Sequence, residues 1–143
     1  MKQSNRDFFD QQVDWVLDRL PRKILRLLME IPLHVEDQPS PELMQELQVS
    51  TPEDICGCFS GTPQQNKTNA SNAWKEVGIW GIVGVPWPSS VTIFRRGIVA
   101  ASRDERGKVS RNQLRQEIRT TILHELAHLH GMDEEEIAEM GYG

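Results

Sequence analysis

The chain has little cysteine, no long apolar run and no excess of basic charge, and each of these gaps closes off a class of protein. Cys56 and Cys58 are the only cysteines. So small a pair cannot frame a disulfide-rich fold, and with one residue between them a direct bridge would be strained. Reduced thiols on a strand are the simpler reading of such a Cys-x-Cys, and a soft-metal pair is the other. Residues 1–10 are polar and charged, and no apolar stretch reaches the length of a signal-peptide core or a membrane span. A cytoplasmic protein with no membrane partner is expected. The net charge of −5, from 16 basic and 21 acidic residues, argues against a nucleic-acid partner, because counterion release needs a basic surface. The local basic cluster of Arg95, Arg96, Arg103, Arg106 and Lys108 reads as a solvated loop.

What is present suits one globular domain over residues 1–143, since a 38% hydrophobic content over that length can bury a single core without disulfides. Phe8, Phe9, Val13, Val16, Leu17 and Leu20 recur at helical spacing, and Pro21 opens a second helix carrying Ile24, Leu25, Leu27 and Leu28. Ile31, Leu33 and Val35 alternate with polar or proline neighbours as a strand does, and Ser40-Pro41-Glu42 starts a short helix through Leu47. Residues 55–59 and 91–94 read as further strands. Between them, residues 63–90 are too long for an ordinary connection and read as an insertion or partly ordered flap. Its Trp74, Trp80 and Trp87 either wall a substrate cleft or pin the insertion to the core. Asn69-Ala70-Ser71 matches a glycosylation sequon that a cytoplasmic protein would not use.

The decisive feature is His124-Glu125-Leu126-Ala127-His128. Ser110 and Gln113 form a capping box for a long helix, in which Leu114, Ile118, Ile122, Leu126 and Leu129 make one apolar stripe. At about 100° per residue, His124 and His128 share a face one turn apart, so both ring nitrogens can meet one ion. Glu125 lies to one side, where its carboxylate can act on an activated water without filling the coordination sphere. Glu117 and Thr121 share the histidines' side and are candidates to orient them, or are simply surface residues. An amphipathic helix that carries two histidines by chance is the plainer alternative.

A catalytic zinc takes a third protein ligand. Gly131 can end the helix in the left-handed conformation and turn the chain back, and Asp133, Glu134, Glu135 and Glu136 follow. Asp133 reads as the N-cap of a last helix, with Glu136 completing the box. That leaves Glu134 as the third ligand and Asp133 as the next choice. In His-Glu-x-x-His-x-x-Gly-x-x-Glu, Glu134 stands where metzincins place their third histidine. The same acids would also favour the positive end of a helix dipole and do nothing else. His130 projects away from the face of His124 and His128, which favours a packing or solvent role.

On these residues the chain resembles the minimal zincin-like metallopeptidases, short bacterial proteins that look like a metalloprotease core reduced to one small domain. The resemblance is carried by residues 18–21, 35–42 and 91–95, by residues 121–131 with Glu134, and by the closing Met-Gly-Tyr-Gly. It implies an α+β zincin-like fold, a small mixed or antiparallel sheet packed against helices that include the His-Glu-x-x-His helix. It also implies zinc on His124, His128 and Glu134, Glu125 as general base, and a peptide or protein substrate. The insertion, Cys56, Cys58 and its tryptophans depart from the family's pattern, so no substrate contacts carry over there.

The expected chemistry is hydrolysis of a peptide bond by zinc-activated water, with Glu125 taking the proton and returning it to the leaving amine. Residues 91–95 resemble the edge strand along which zincins lay an extended substrate. Tyr142, Arg95 and His34 are candidates to stabilise the oxyanion, and Met140 either underlies the zinc or packs in the core. Two other readings stay open: a zinc-binding protein of this fold that acts through a partner without peptidase activity, and a metal-free amphipathic adaptor.

Overall fold

The protein's computed structural model describes residues 1–60 and 89–129. Helix α1 (Gln3–Leu17) turns Phe9, Val13 and Val16 inward at helical spacing, and Leu20 just beyond it is buried as well. Phe8, grouped with them by its spacing in the sequence, is 40% exposed. It precedes Phe9 by 100° around the helix and falls off the buried stripe. Pro21 is the N-cap of α2 (Arg22–Glu30), the place where a missing N–H costs nothing.

Strand β1 (Leu33–Glu36) leads into α3 (Pro41–Leu47), whose N-cap Ser40 accepts a hydrogen bond from the Leu43 N–H at 3.1 Å. A 3₁₀ turn (Pro52–Asp54) precedes β2 (Gly57–Ser60), and the chain resumes in β3 (Ser90–Phe94). These strands form a mixed sheet in the order β1-β3-β2, with β1 parallel and β2 antiparallel to β3. Opposite residues share a face, so Gly57 and Phe59, Val91 and Ile93, and Leu33 and Val35 form one side of the sheet. Val91 and Ile93 are fully buried there.

β3 therefore lies in the middle of the sheet, not at its edge. Both its sides are already hydrogen-bonded, so residues 91–95 cannot add a substrate strand as the sequence suggested. Nor is Arg95-Arg96 a solvated loop: it opens α4 (Arg95–Ser102). Arg95 donates to Asp10 and Asp37, and Arg96 pairs with Glu53 at 2.8 Å. Only the part of the basic cluster from Arg103 to Lys108 is an exposed turn, closed by Asp104 accepting from the Arg106 and Lys108 N–H groups.

The long helix α5 (Arg111–Leu129) lies against α1, α4 and the sheet. Its Leu114, Ile118, Ile122, Leu126 and Leu129 are all at most 2% exposed, each contributing roughly 1.5–3 kcal/mol of burial before the entropy of ordering is subtracted. The result is an α+β arrangement with one core between sheet and helices. Among the described residues no helix is long and apolar enough to cross a membrane.

Candidate metal centre

The last two turns of α5 carry the site. Ser110 caps the helix by accepting from the Gln113 N–H at 3.1 Å, and the buried stripe then sets the helix's rotation against the sheet. With that rotation fixed, Thr121, Leu126 and Ala127 are buried, while His124, Glu125 and His128 are half-buried at a seam beside β2. Nothing in this geometry is accidental to the sequence, since the same periodicity that buries the leucines brings the imidazoles to one edge.

The Nε2 atoms of His124 and His128 face each other at 3.0 Å, and the rings meet edge to face with centroids 4.6 Å apart. That separation is one at which either a shared proton or a shared ion can join two imidazoles. Two nitrogens bound to one tetrahedral zinc at about 2.0–2.1 Å lie roughly 3.3 Å apart. The pair therefore fits a zinc ion with a shift of a few tenths of an ångström.

Phe59 on β2 stacks on the His128 ring, with centroids 6.0 Å apart and 24° between planes. Sequence reading placed Phe59 on a strand and did not connect it to the histidine. The missed signal was its two-residue spacing from Gly57, which puts both on one face of β2. A Cβ built on Gly57 would come within 2.8 Å of Thr121 Cγ2, 2.9 Å of the Thr92 carbonyl oxygen and 3.2 Å of Glu125 Cγ. Only a residue without a side chain lets β2 approach the Glu125 turn of α5 this closely.

The other face of β2 belongs to Cys58, opposite Thr92. Both cysteines are free. Burial, followed by the Glu117 and Glu125 charges, pushes the Cys56 thiol up to about 11. Burial, then Glu125 and Glu36, takes Cys58 up to about 11 as well. Without a bound metal, both stay protonated at neutral pH.

Among the described residues no group of three or more His, Cys, Asp or Glu side chains gathers to hold a metal. The expected third ligand Glu134 lies outside the described residues. So do its alternative Asp133, together with His130, Gly131, Glu135, Glu136, Met140, Tyr142 and the insertion with Trp74, Trp80 and Trp87. Two of the suggested oxyanion groups are described, and neither suits that role. Arg95 holds Asp10 and Asp37 at 2.9–3.0 Å with its side chain 12% exposed. His34 is exposed on β1, which β3 separates from β2.

A family model described as zincin-like metallopeptidase matches residues 28–143. The match takes in the whole of the sheet, α5 and Glu134, and begins after the segment at 18–21. No curated protein matches the chain.

Proposed function

The chain belongs to the zincin-like metallopeptidase family, and from that premise we propose that it hydrolyses peptide bonds, with zinc held by His124, His128 and Glu134 and with Glu125 as general base. The observation that carries this reading is the 3.0 Å approach of the two Nε2 atoms beside a glutamate whose turn is seated on Gly57.

When bound, zinc polarises a carbonyl oxygen and acidifies water. The chain's own residues do the rest. Glu125 accepts the proton of the attacking water and delivers it to the leaving nitrogen, work worth about 10²–10⁴ in rate for a positioned general base. Gly57 holds that carboxylate close to β2, and Phe59 fixes the plane of the His128 ring. Among the described residues β2 is an edge strand of the sheet and the one beside His128, so it takes the role first given to residues 91–95: its outer side offers main-chain groups to an extended peptide. In this reading the whole chain, residues 1–143, is one catalytic domain.

The test begins with metal content by elemental mass spectrometry, for the native protein and for His124→Ala/His128→Ala. About one zinc per chain, lost in the double variant, is the expected result. Glu125→Gln should then keep its zinc and lose hydrolysis of a peptide library, and Glu134→Ala should weaken zinc binding. Hydrolysis that survives Glu125→Gln would overturn the mechanism. Zinc that binds without turnover of any peptide would leave a zinc-dependent interaction module on the same fold.

A further inference from the structure

Away from the histidines, the N-terminal half of α5 and the second half of α1 enclose a groove of about 250 Å³ lined by Trp15, Arg19, Asn112, Arg115, Gln116 and Arg119, with Val16 below them. Among the described residues no carboxylate lines it. The guanidinium carbons of Arg19 and Arg115 lie 3.9 and 3.8 Å from the centre of the Trp15 ring. Two guanidiniums cannot share one face at that distance, so they take opposite faces and the indole is held between them. Arg19 also donates to the Trp15 carbonyl at 3.0 Å, and Arg115 Nε donates to Gln12 Oε1 at 2.8 Å.

Four arginines meet here, counting Arg111. Among the described residues none of Arg19, Arg111, Arg115 and Arg119 pairs with a carboxylate, whereas Arg6, Arg95 and Arg96 all do. Partial desolvation, then the neighbouring Arg111 and Arg19 charges, push the Arg115 guanidinium below its ordinary value. In a chain of net charge −5, this is a concentrated and uncompensated positive field. Trp15 and Arg19 precede residue 28, where the family match begins, so the groove is not a feature of the matched segment alone.

We propose that this groove docks an acidic segment of a partner protein, whose carboxylates pair with Arg19, Arg115 and Arg119 while an apolar side chain rests on the edge of Trp15. The stacked arginines are already ordered, so little side-chain entropy remains to be lost on binding. A nucleic acid fits less well, because its phosphates extend over a long surface and would meet the acids that dominate the rest of the chain. A bilayer needs an aromatic ring that can insert, and this one is covered on both faces. The surface faces away from the metal centre: Arg119, the lining residue of α5 nearest to His124, is five residues from it, about 7.5 Å of helix rise and about 140° around the helix.

The experiment is fluorescence anisotropy of a short labelled Glu-Glu-Leu repeat peptide with the full chain, beside the same peptide carrying Gln for Glu. Saturable binding of the acidic peptide alone is expected, weakened about tenfold or more by Arg115→Glu/Arg119→Glu. Should that variant unfold in a thermal melt, Arg111→Gln/Arg119→Gln leaves the Trp15 stack intact and should still weaken binding several-fold. Arg103→Glu/Arg106→Glu, in the exposed turn, should change it little. The proposal is overturned by absence of saturable binding, by equal binding of the groove variants, or by arginine-dependent binding of duplex DNA or phosphatidylserine vesicles that is tighter than the peptide's. Glu125→Gln should bind the peptide unchanged, so failure of the peptidase reading and failure of this one are separable.

Discussion

Gly57 shows how much one missing side chain can decide. Its Cα stands where β2 comes closest to α5, and an added methyl would meet a threonine methyl at 2.8 Å and a backbone oxygen at 2.9 Å, neither able to give way freely. Gly57→Ala should therefore destabilise the fold by about 1–3 kcal/mol, the usual cost of overpacking, read as a lowered urea midpoint. Because Glu125 Cγ is the third neighbour, at 3.2 Å, the same change should lower peptide hydrolysis more than zinc content. An unchanged urea midpoint would mean that β2 and α5 can separate without cost. The sequence displayed the glycine but not the helix turn lying over it, since the approach joins residues more than sixty positions apart.

At the scale of elements, α5 is the part most legible in advance. Its cap, its stripe and its histidines all follow one period of 3.6 residues, and the Ser110 cap is observed at 3.1 Å. Ser110→Ala should cost about 1 kcal/mol of unfolding free energy, measured by chemical denaturation. A loss near zero would show that the packed stripe holds the first turn unaided. Strand order was less legible. Residues 91–94 are rich in β-branched side chains whether they run at an edge or in the centre, so composition located β3 without locating its neighbours. Burial of Val91, Ile93 and Phe94 at 0% exposure is what a central strand shows. The short helix α4 was hidden for a similar reason: its paired arginines look solvated until Asp10, Asp37 and Glu53, all distant in sequence, are brought to them.

For the whole molecule, Asp37 is a junction. Arg6 of α1 donates to it at 2.9 Å and Arg95 at the start of α4 also at 2.9 Å, while Arg95 returns to Asp10 of α1. The hydrogen bond from Arg6, helped by that from Arg95, holds the Asp37 carboxyl below the usual carboxylate range against the opposing effect of burial. A carboxyl depressed by folding adds stability above its unfolded value, near 4, and that stability is lost as the pH falls through the folded value. Asp37→Asn should cost about 1–2 kcal/mol at neutral pH, allowing for its partial exposure, and should flatten the decline of the urea midpoint below about pH 4. Parallel acid profiles for the two proteins would show that the junction adds nothing. By itself the sequence located α1, α2, α3, α5 and the three strands, and put His124 and His128 on one face of α5 with Glu125 beside them, because periodicity, caps and residue spacing are local and repeat within a few residues. The tertiary structure alone decided that β3 is central and, among the described residues, β2 an edge, that Gly57 and Phe59 frame the histidine pair, that Arg95 is bound into a junction and unsuited to an oxyanion, and that Arg19 and Arg115 both stack on Trp15. Each of these depends on residues far apart in the chain meeting in space, and no local pattern encodes such a meeting.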